Sequence, residues 1–215
     1  MNKIFLLSKT ERELYFRTAA ETLNISFDII EKDYWVVWTL ERLFELEDLK
    51  THLTFKGGTS LSKVFGIIDR FSEDIDLSIE RFFLGFDENN DPEKAPSRKK
   101  QQLVLENLSK ACSEYVLEKM HPDLSANIAH NLGTTFGWQL TIDGGDSDAQ
   151  TLLFEYPCIA PGGGYIRPVV KIEMGARSEH WPVSEHRIQS YVKDALKDKI
   201  TEAAVLEFNE LASSG

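Results

Sequence analysis

The chain of 215 residues carries 24 lysines and arginines against 35 aspartates and glutamates, a formal charge of −11, and 42% of its residues are apolar. This acidic balance argues against a surface that coats long nucleic acids non-specifically, and no apolar run approaches the roughly 20 residues that a membrane span needs. Two cysteines cannot form a disulfide framework, which argues against a disulfide-dependent secreted scaffold and favours a reducing, cytoplasmic setting.

The N-terminal part of the sequence predicts two helices. The segment "SKTE", from Ser8 to Glu11, has the spacing of a capping box, in which the two side chains bind free backbone N–H groups. Further on, apolar residues recur at the spacing of one helical face, at Ile30, Tyr34, Val37, Leu40 and Phe44. Both helices are expected within residues 8–48.

A strand, a glycine turn, a helix and a second strand are predicted next. "HLTF" is short and apolar, so it predicts a strand that ends at Phe55, and Gly57 and Gly58 interrupt it. "TSLSKVFGII" then has helical spacing. In "SEDIDLSIE" apolar and polar residues alternate, which predicts a strand with one buried face and one polar face.

The rest of the chain predicts a long helix and three more strands. Ser97 can cap the helix, and the strands are expected in "FGWQLTID", "DAQTLLFEYP" and "YIRPVVKIEMG". Because no linker divides the chain, we expect one α+β domain, a mixed sheet with helices packed on it. Its parts would be N-terminal helices at 8–48, a core at 50–176 and a C-terminal tail at 177–215.

Asp74 and Asp76 are the first candidates for chemistry. Residues two apart on a strand share a face, so both carboxylates project side by side. Two adjacent anions repel each other unless a cation lies between them, and Mg²⁺ prefers a few carboxylates together with phosphate oxygens. The alternative is the solvated outer face of an ordinary strand, because a D-x-D pair alone is common.

The double glycine is the second candidate site. A strand followed by Gly-Gly, hydroxyl residues and a helix can present backbone N–H groups to a phosphate. Thr59 and Ser60 can add hydroxyl donors, and Lys63 follows about one helical turn later. The alternative is a tight turn in which Thr59 caps the helix. The spacing of a Walker A loop is absent from this segment.

A third acid lies on a later predicted strand. In "VVKIEMG", Lys171 and Glu173 share one face, and the apolar residues share the other. If this strand lies near the D-x-D strand, Glu173 adds a third carboxylate to the same site. A surface pair between Lys171 and Glu173 explains the pattern equally well.

Taken together, these segments resemble a known family. The succession of "FKGGTSLSK" and "RFSEDIDL", with "IEKDYWVVWTLERLF" upstream, is similar to the AbiEii/AbiGii toxin family of nucleotidyltransferases. The wider DNA polymerase β-like superfamily has the same order of a glycine turn, a D-x-D strand and a third acid. The resemblance covers about residues 27–176.

The resemblance implies a role for each matching residue. Asp74, Asp76 and Glu173 would bind the metal, with Glu173 also a candidate general base. Arg70 and Ser72 would brace the acidic strand, and Ser72 would also border the nucleotide. The residues implied to contact phosphate, directly or by supporting the turn, are Gly57, Gly58, Thr59, Ser60, Lys63 and Lys171.

The resemblance also implies a function. It predicts a Mg²⁺-dependent enzyme, with Mn²⁺ as a substitute, that transfers a nucleotide from a nucleoside triphosphate to an acceptor such as tRNA in a toxin–antitoxin or phage-defence system. A cognate antitoxin would be a partner. Family members continue into a helical C-terminal half with another lysine and aspartate, so this sequence is expected to be a shortened member. The alternative function is an inactive nucleotidyltransferase-like module that binds a protein.

Overall fold

The computed structural model describes residues 4–64, 72, 74–159, 167–177 and 183–196. The helices in this part are α1 (Lys9–Leu23), α2 (Phe27–Leu43), α3 (Gly57–Lys63), α4 (Arg98–Tyr115), α5 (His121–Leu132) and α6 (Tyr191–Ala195). The strands are β1 (Leu53–Lys56), β2 (Asp74–Ile79), β3 (Gln139–Ile142), β4 (Thr151–Glu155) and β5 (Val169–Gly175). A π-helical turn, Val116–Met120, joins α4 to α5.

The five strands form one mixed sheet in the order β1-β2-β5-β4-β3. β2 and β5 pair in parallel, and the three other pairs are antiparallel. The predicted fold class is therefore confirmed: a mixed sheet with helices packed on it. Every predicted strand is present, with narrower bounds at β3, β4 and β5 than the sequence suggested.

One face of this sheet forms the hydrophobic core. Ile75, Leu77 and Ile172 on the two parallel strands are fully buried, as the alternating pattern predicts. The helix α2 covers this face, and its Trp38 stacks on Phe154 of β4 with 5.8 Å between the ring centroids. The opposite face of β2 and β5 carries the polar residues, so core packing fixes the direction in which these residues point.

The helix α2 is buried on almost all sides, which the sequence did not predict. Thirteen of its 17 residues are buried, including the consecutive charged residues Glu31, Lys32 and Asp33. Phe44, expected on the apolar stripe, lies at the C-cap and is exposed. The predicted helix is therefore present, and the other four residues of its apolar stripe are buried. Burial extends beyond the stripe because α1, α5, α6 and the sheet all contact the helix.

The local signals for helix ends are confirmed. Ser8 and Glu11 form the predicted capping box at α1, and the Ser97 side chain accepts a hydrogen bond from the backbone of Lys100 at α4. The helix α3 begins at Gly57 itself. The predicted continuation of α3 beyond residue 64, Arg70 and most of the C-terminal tail lie outside the described residues. Within the described residues, none of the helices has the length and apolarity to cross a membrane.

Candidate active site

The parallel pairing of β2 with β5 brings acids from two distant parts of the chain together. In this register Asp76 lies beside Glu173, and Asp74 lies beside Lys171. Partial burial raises the pKa of Asp76, and the neighbouring Glu173 and Asp74 carboxylates raise it further, while the Lys56 ammonium opposes this. The register thus places two carboxylates side by side, an arrangement that a bound cation would stabilise.

The glycine turn lies directly against one of these acids. A Cβ atom placed on Gly57 would lie 1.8 Å from Oδ2 of Asp76, and the φ angle of Gly57 is +74°. Only glycine fits this position, because any side chain would collide with the carboxylate and would also strain the backbone. The turn predicted to contact phosphate and the acids predicted to bind metal are therefore neighbours.

Two lysines accompany the acids. Lys171 forms an ion pair with Glu173, with 2.5 Å between Nζ and Oε1, and this contact raises the pKa of Lys171. Lys56, at the end of β1, pairs across the sheet with Asp76. Lys56 was not among the site residues predicted from the sequence. The antiparallel pairing of β1 with β2 brings Lys56 to the site. Two strands predicted close together in sequence suggest that they pair, but they do not determine which residues lie opposite each other.

The hydroxyl residues of the turn face inward. Thr59 is fully buried, and its hydroxyl lies 2.8 Å from the Ser72 hydroxyl and also contacts the backbone carbonyl of Asp74. Ser60 is also buried. Thr59 and Ser72 thus tie α3 to the first residue of β2. These contacts indicate that Thr59 braces the acidic strand. Direct contact between Thr59 and phosphate stays a prediction.

Lys63 does not contact the acids of β2 and β5 in its described interactions. Its ammonium pairs with Asp33 of α2, lies 3.8 Å from the centre of the Tyr191 ring and donates a hydrogen bond to the carbonyl of Gln189 at 3.3 Å. The side chain is only 8% exposed. Of the two roles implied for Lys63, these contacts favour support of the turn over contact with phosphate, because buried Asp33 requires a cation beside it.

The donor set suits a hard divalent cation that is shared with a ligand. Across the ranges that the structure describes, no three His, Cys, Asp or Glu side chains are arranged to hold a metal ion alone. Asp76 and Glu173 nevertheless supply facing carboxylate oxygens, and Mg²⁺ takes a few carboxylates plus water and phosphate oxygens. The residues therefore fit a site completed by a bound triphosphate.

Two comparisons with known proteins found a match. A family model described as "Nucleotidyl transferase AbiEii toxin, Type IV TA system" matches residues 38–213. The fold search matched MenT4, a nucleotidyltransferase toxin from Mycobacterium tuberculosis H37Rv, with 20% identity and a TM-score of 0.41. The match covers 85% of this chain and 48% of MenT4, so the chain spans about half the length of that protein. No curated protein matches the sequence.

Proposed function

Because the chain belongs to the AbiEii nucleotidyltransferase toxin family, we propose that it transfers a nucleotide from a nucleoside triphosphate to an acceptor hydroxyl. One nucleotidyltransferase-like domain would carry the site. The observation that supports this best is the contact between Gly57 and Asp76, with Asp76 in register with Glu173. It joins a close-approach turn, which can bind phosphate, to paired carboxylates, which can bind a metal ion.

The turn at the start of α3 would bind the triphosphate. Gly57 and Gly58 allow phosphate oxygens to approach the backbone N–H groups, and Ser60 follows in the same turn. The Lys56 and Lys171 side chains would add positive charge on the two sides of the acidic strand. In phosphoryl transfer such charges act mainly by positioning the phosphates and neutralising their charge.

The acids would hold Mg²⁺, or Mn²⁺ in its place, through Asp74, Asp76 and Glu173. When bound, the metal neutralises charge on the phosphates and aligns the attacking hydroxyl with them. Glu173 is the proposed acceptor for the proton of that hydroxyl. Lys171, paired with Glu173, would hold this carboxylate in place.

The acceptor and the biological setting are part of the same proposal. The type IV toxin–antitoxin description of the matched family supports an antitoxin that counters this protein. We propose tRNA as the acceptor and phage defence as the setting. A tRNA end offers a free hydroxyl for attack on the α-phosphate, with release of pyrophosphate.

The test is a nucleotide titration with and without Mg²⁺, followed by transfer of radiolabelled nucleotide to total tRNA. We expect Mg²⁺-dependent binding of at least one ribonucleoside triphosphate, and loss of that dependence in Asp76→Asn while the fold persists. Glu88→Gln removes one carboxylate charge from a side chain that is 90% exposed, and it is the matched control. Equal Mg²⁺-dependent binding by Asp76→Asn and wild type would remove this site from consideration. Absence of binding by wild type would favour the protein-binding module.

A further inference from the structure

A buried ion pair lies behind the proposed nucleotide site. Asp33 of α2 is fully buried, and its carboxylate contacts the Lys63 ammonium at the last residue of α3. The same carboxylate accepts a hydrogen bond from the backbone N–H of Tyr191, the first residue of α6, at 2.7 Å. One carboxylate thus joins three elements that are far apart in sequence.

This arrangement is costly in a protein interior. Removing two charges from water carries a desolvation penalty that apolar packing of the same volume avoids. Burial raises the pKa of Asp33, and the Lys63 charge opposes that rise. The Lys63 ammonium is further held by the Tyr191 ring and the Gln189 carbonyl. The directional contacts of this buried pair restrict where α3 can lie more closely than non-directional apolar contacts do.

The element that is fixed is the one that carries the glycine turn. At seven residues α3 is short, and so short a helix is marginal without tertiary contacts. Thr59 ties its first turn to β2, and Lys63 ties its last residue to α2. Gly57 lies against Asp76, so a small shift of α3 would change the distance between the turn and the acids.

We propose that Asp33 is a positioning residue for the nucleotide: through Lys63 it fixes α3, and with it the Gly57–Ser60 turn, against the acids of β2 and β5. Because Tyr191 donates to the same carboxylate, the position of the turn depends on the docking of residues 189–191. This inference rests on the proposed nucleotide site and adds Asp33 and Lys63 as residues that support the site without contacting the nucleotide. Displacements of about 1 Å in such residues can cost about 100-fold in rate.

The main test compares Asp33→Asn and Lys63→Met with the double variant. Each single variant leaves one buried charge unpaired, so each should lose stability to urea, while the double variant removes both charges and should regain stability. Affinity is measured by calorimetry with each of the four ribonucleoside triphosphates and Mg²⁺. We expect Asp33→Asn to bind at least about 10-fold more weakly, and we expect the double variant to stay weak although it is stable.

Two outcomes would overturn the proposal. One is recovery of both stability and affinity in the double variant, which would make the pair a purely structural feature. The other is loss of stability in Asp33→Asn with unchanged affinity of the folded protein. Glu31→Gln is the control, because it neutralises a buried carboxylate of the same helix that binds the backbone N–H of Ile159 instead of α3. We expect its affinity to match wild type.

A matched pair at Tyr191 tests the dependence on residues 189–191. Tyr191→Ala removes the ring and keeps the backbone N–H, whereas Tyr191→Pro removes both. Proline is tolerated at the first position of a helix, and Ser190 already has the extended conformation that precedes proline, with φ −80° and ψ 155°. We expect weaker nucleotide binding by the proline variant than by the alanine variant. Equal affinities would contradict a role for the N–H group of Tyr191.

Hydrogen exchange separates this inference from the proposed function. In nucleotide-free protein, Asp33→Asn should speed exchange in a peptide covering β1 and α3 by at least about 10-fold, because the last residue of α3 is released. The control Glu31→Gln should leave that peptide unchanged. If wild type binds no triphosphate, the proposed function fails, and exchange alone decides whether Asp33 holds α3. Equal exchange in wild type and Asp33→Asn would refute the inference even if nucleotide binds.

Discussion

At the scale of single residues, the carboxylate of Asp76 leaves no room for a side chain at Gly57. The φ angle of Gly57 is +74°, which favours glycine, and a Cβ atom there would lie 1.8 Å from Oδ2 of Asp76. The two effects are separable, because positive φ strains the backbone of any other residue while the collision displaces one particular side chain. Gly57 was predicted to contact phosphate. Because it has no side chain, it also leaves the space that the Asp76 carboxylate occupies beside the turn.

We predict that Gly57→Ala destabilises the fold by about 2–4 kcal/mol, about 1–2 of which comes from positive φ and the rest from the collision. Urea unfolding measures the loss. Gly133→Ala is the control: its φ angle is +65°, and a Cβ atom there would have no neighbour within 4 Å. Equal losses in the two variants would show that Asp76 does not occupy the space at Gly57.

Glu31 gives a prediction about pH. Its carboxylate is buried and its pKa is raised to about 7, mainly by burial, although the Ile159 N–H and the Arg12 charge oppose the rise. Among the described residues, the titratable groups Asp28, Lys9 and Cys158 also interact with it. A carboxyl that holds its proton more tightly when folded stabilises the fold at low pH, and this contribution is lost as pH rises from the ordinary value of 4.5 through about 7.

We therefore predict that wild type loses about 3 kcal/mol relative to Glu31→Gln between pH 4.5 and pH 7.5. The glutamine variant cannot titrate, so the difference between the two proteins isolates this group. Urea unfolding at pH 4.5, 6 and 7.5 provides the measurement. A difference in stability that stays constant over this range would show that Glu31 titrates normally.

At the scale of elements, local patterns predicted the faces of the strands but not their neighbours. Alternation in "DIDLSI" and "VVKIEMG" indicated the polar faces of β2 and β5, and the burial pattern of β5 confirms it strictly. The pairing of Asp76 with Glu173 depends on β5 lying between β2 and β4. Such long-range pairing depends on the whole sheet. The residue pattern allowed this pairing but explained a surface Lys171–Glu173 pair equally well, and only the family resemblance favoured the pairing.

The helix α2 shows that helical periodicity does not predict which charged residues are buried. Its apolar stripe predicted a helix correctly, but the stripe gave no indication that the charged residues Glu31, Lys32 and Asp33 are buried as well. Their burial follows from packing by elements that come much later in the chain, including Ile159 and Tyr191. The partner of each charge is set by tertiary structure, so helical periodicity could not have identified Asp33 as a support for the site.

The pairing of β2 with β5 leads to a prediction for the nucleotide-free protein. Burial raises the pKa of Asp76, and repulsion by Glu173 raises it further. The ion pair of Glu173 with Lys171 is more than one-third exposed at both ends. An exposed pair contributes about 0–1 kcal/mol, so its loss is small compared with relief of the repulsion. We expect Glu173→Gln to raise the melting temperature slightly without metal, by about 1–3 °C.

Thermal melts in EDTA measure this effect, and Glu155→Gln provides the control. Glu155 is an exposed glutamate on the neighbouring strand β4, and its removal should leave the melting temperature within error of wild type. A clear fall in the melting temperature of Glu173→Gln would instead indicate that the pair with Lys171 dominates. Glu173 would then be a structural residue, and the proposed site would consist of Asp74 and Asp76.

At the scale of the whole molecule, the formal charge of −11 affects every test with a divalent cation. An acidic surface attracts Mg²⁺ weakly at many places, and such binding is screened by salt. A cation held between Asp76 and Glu173 differs in two respects: it relieves a specific repulsion, and it depends on those carboxylates. Any general effect of Mg²⁺ on stability must therefore be subtracted before the site is judged.

We predict that Mg²⁺ at about ten times its dissociation constant stabilises wild type by about 1.4 kcal/mol, a rise of about 3–5 °C in melting temperature, because the folded site binds it and the unfolded chain does not. The measurement is a melt at 0.2 M NaCl, where weak surface binding is suppressed. Asp76→Asn should lose most of this rise, since one of the two facing carboxylates is gone, whereas Glu88→Gln removes the same charge at an exposed position and should keep it.

If both variants keep the rise, Mg²⁺ acts through the overall negative charge, and the facing carboxylates of β2 and β5 do not form the metal site. If both lose it, the effect depends on net charge alone, and the same conclusion follows.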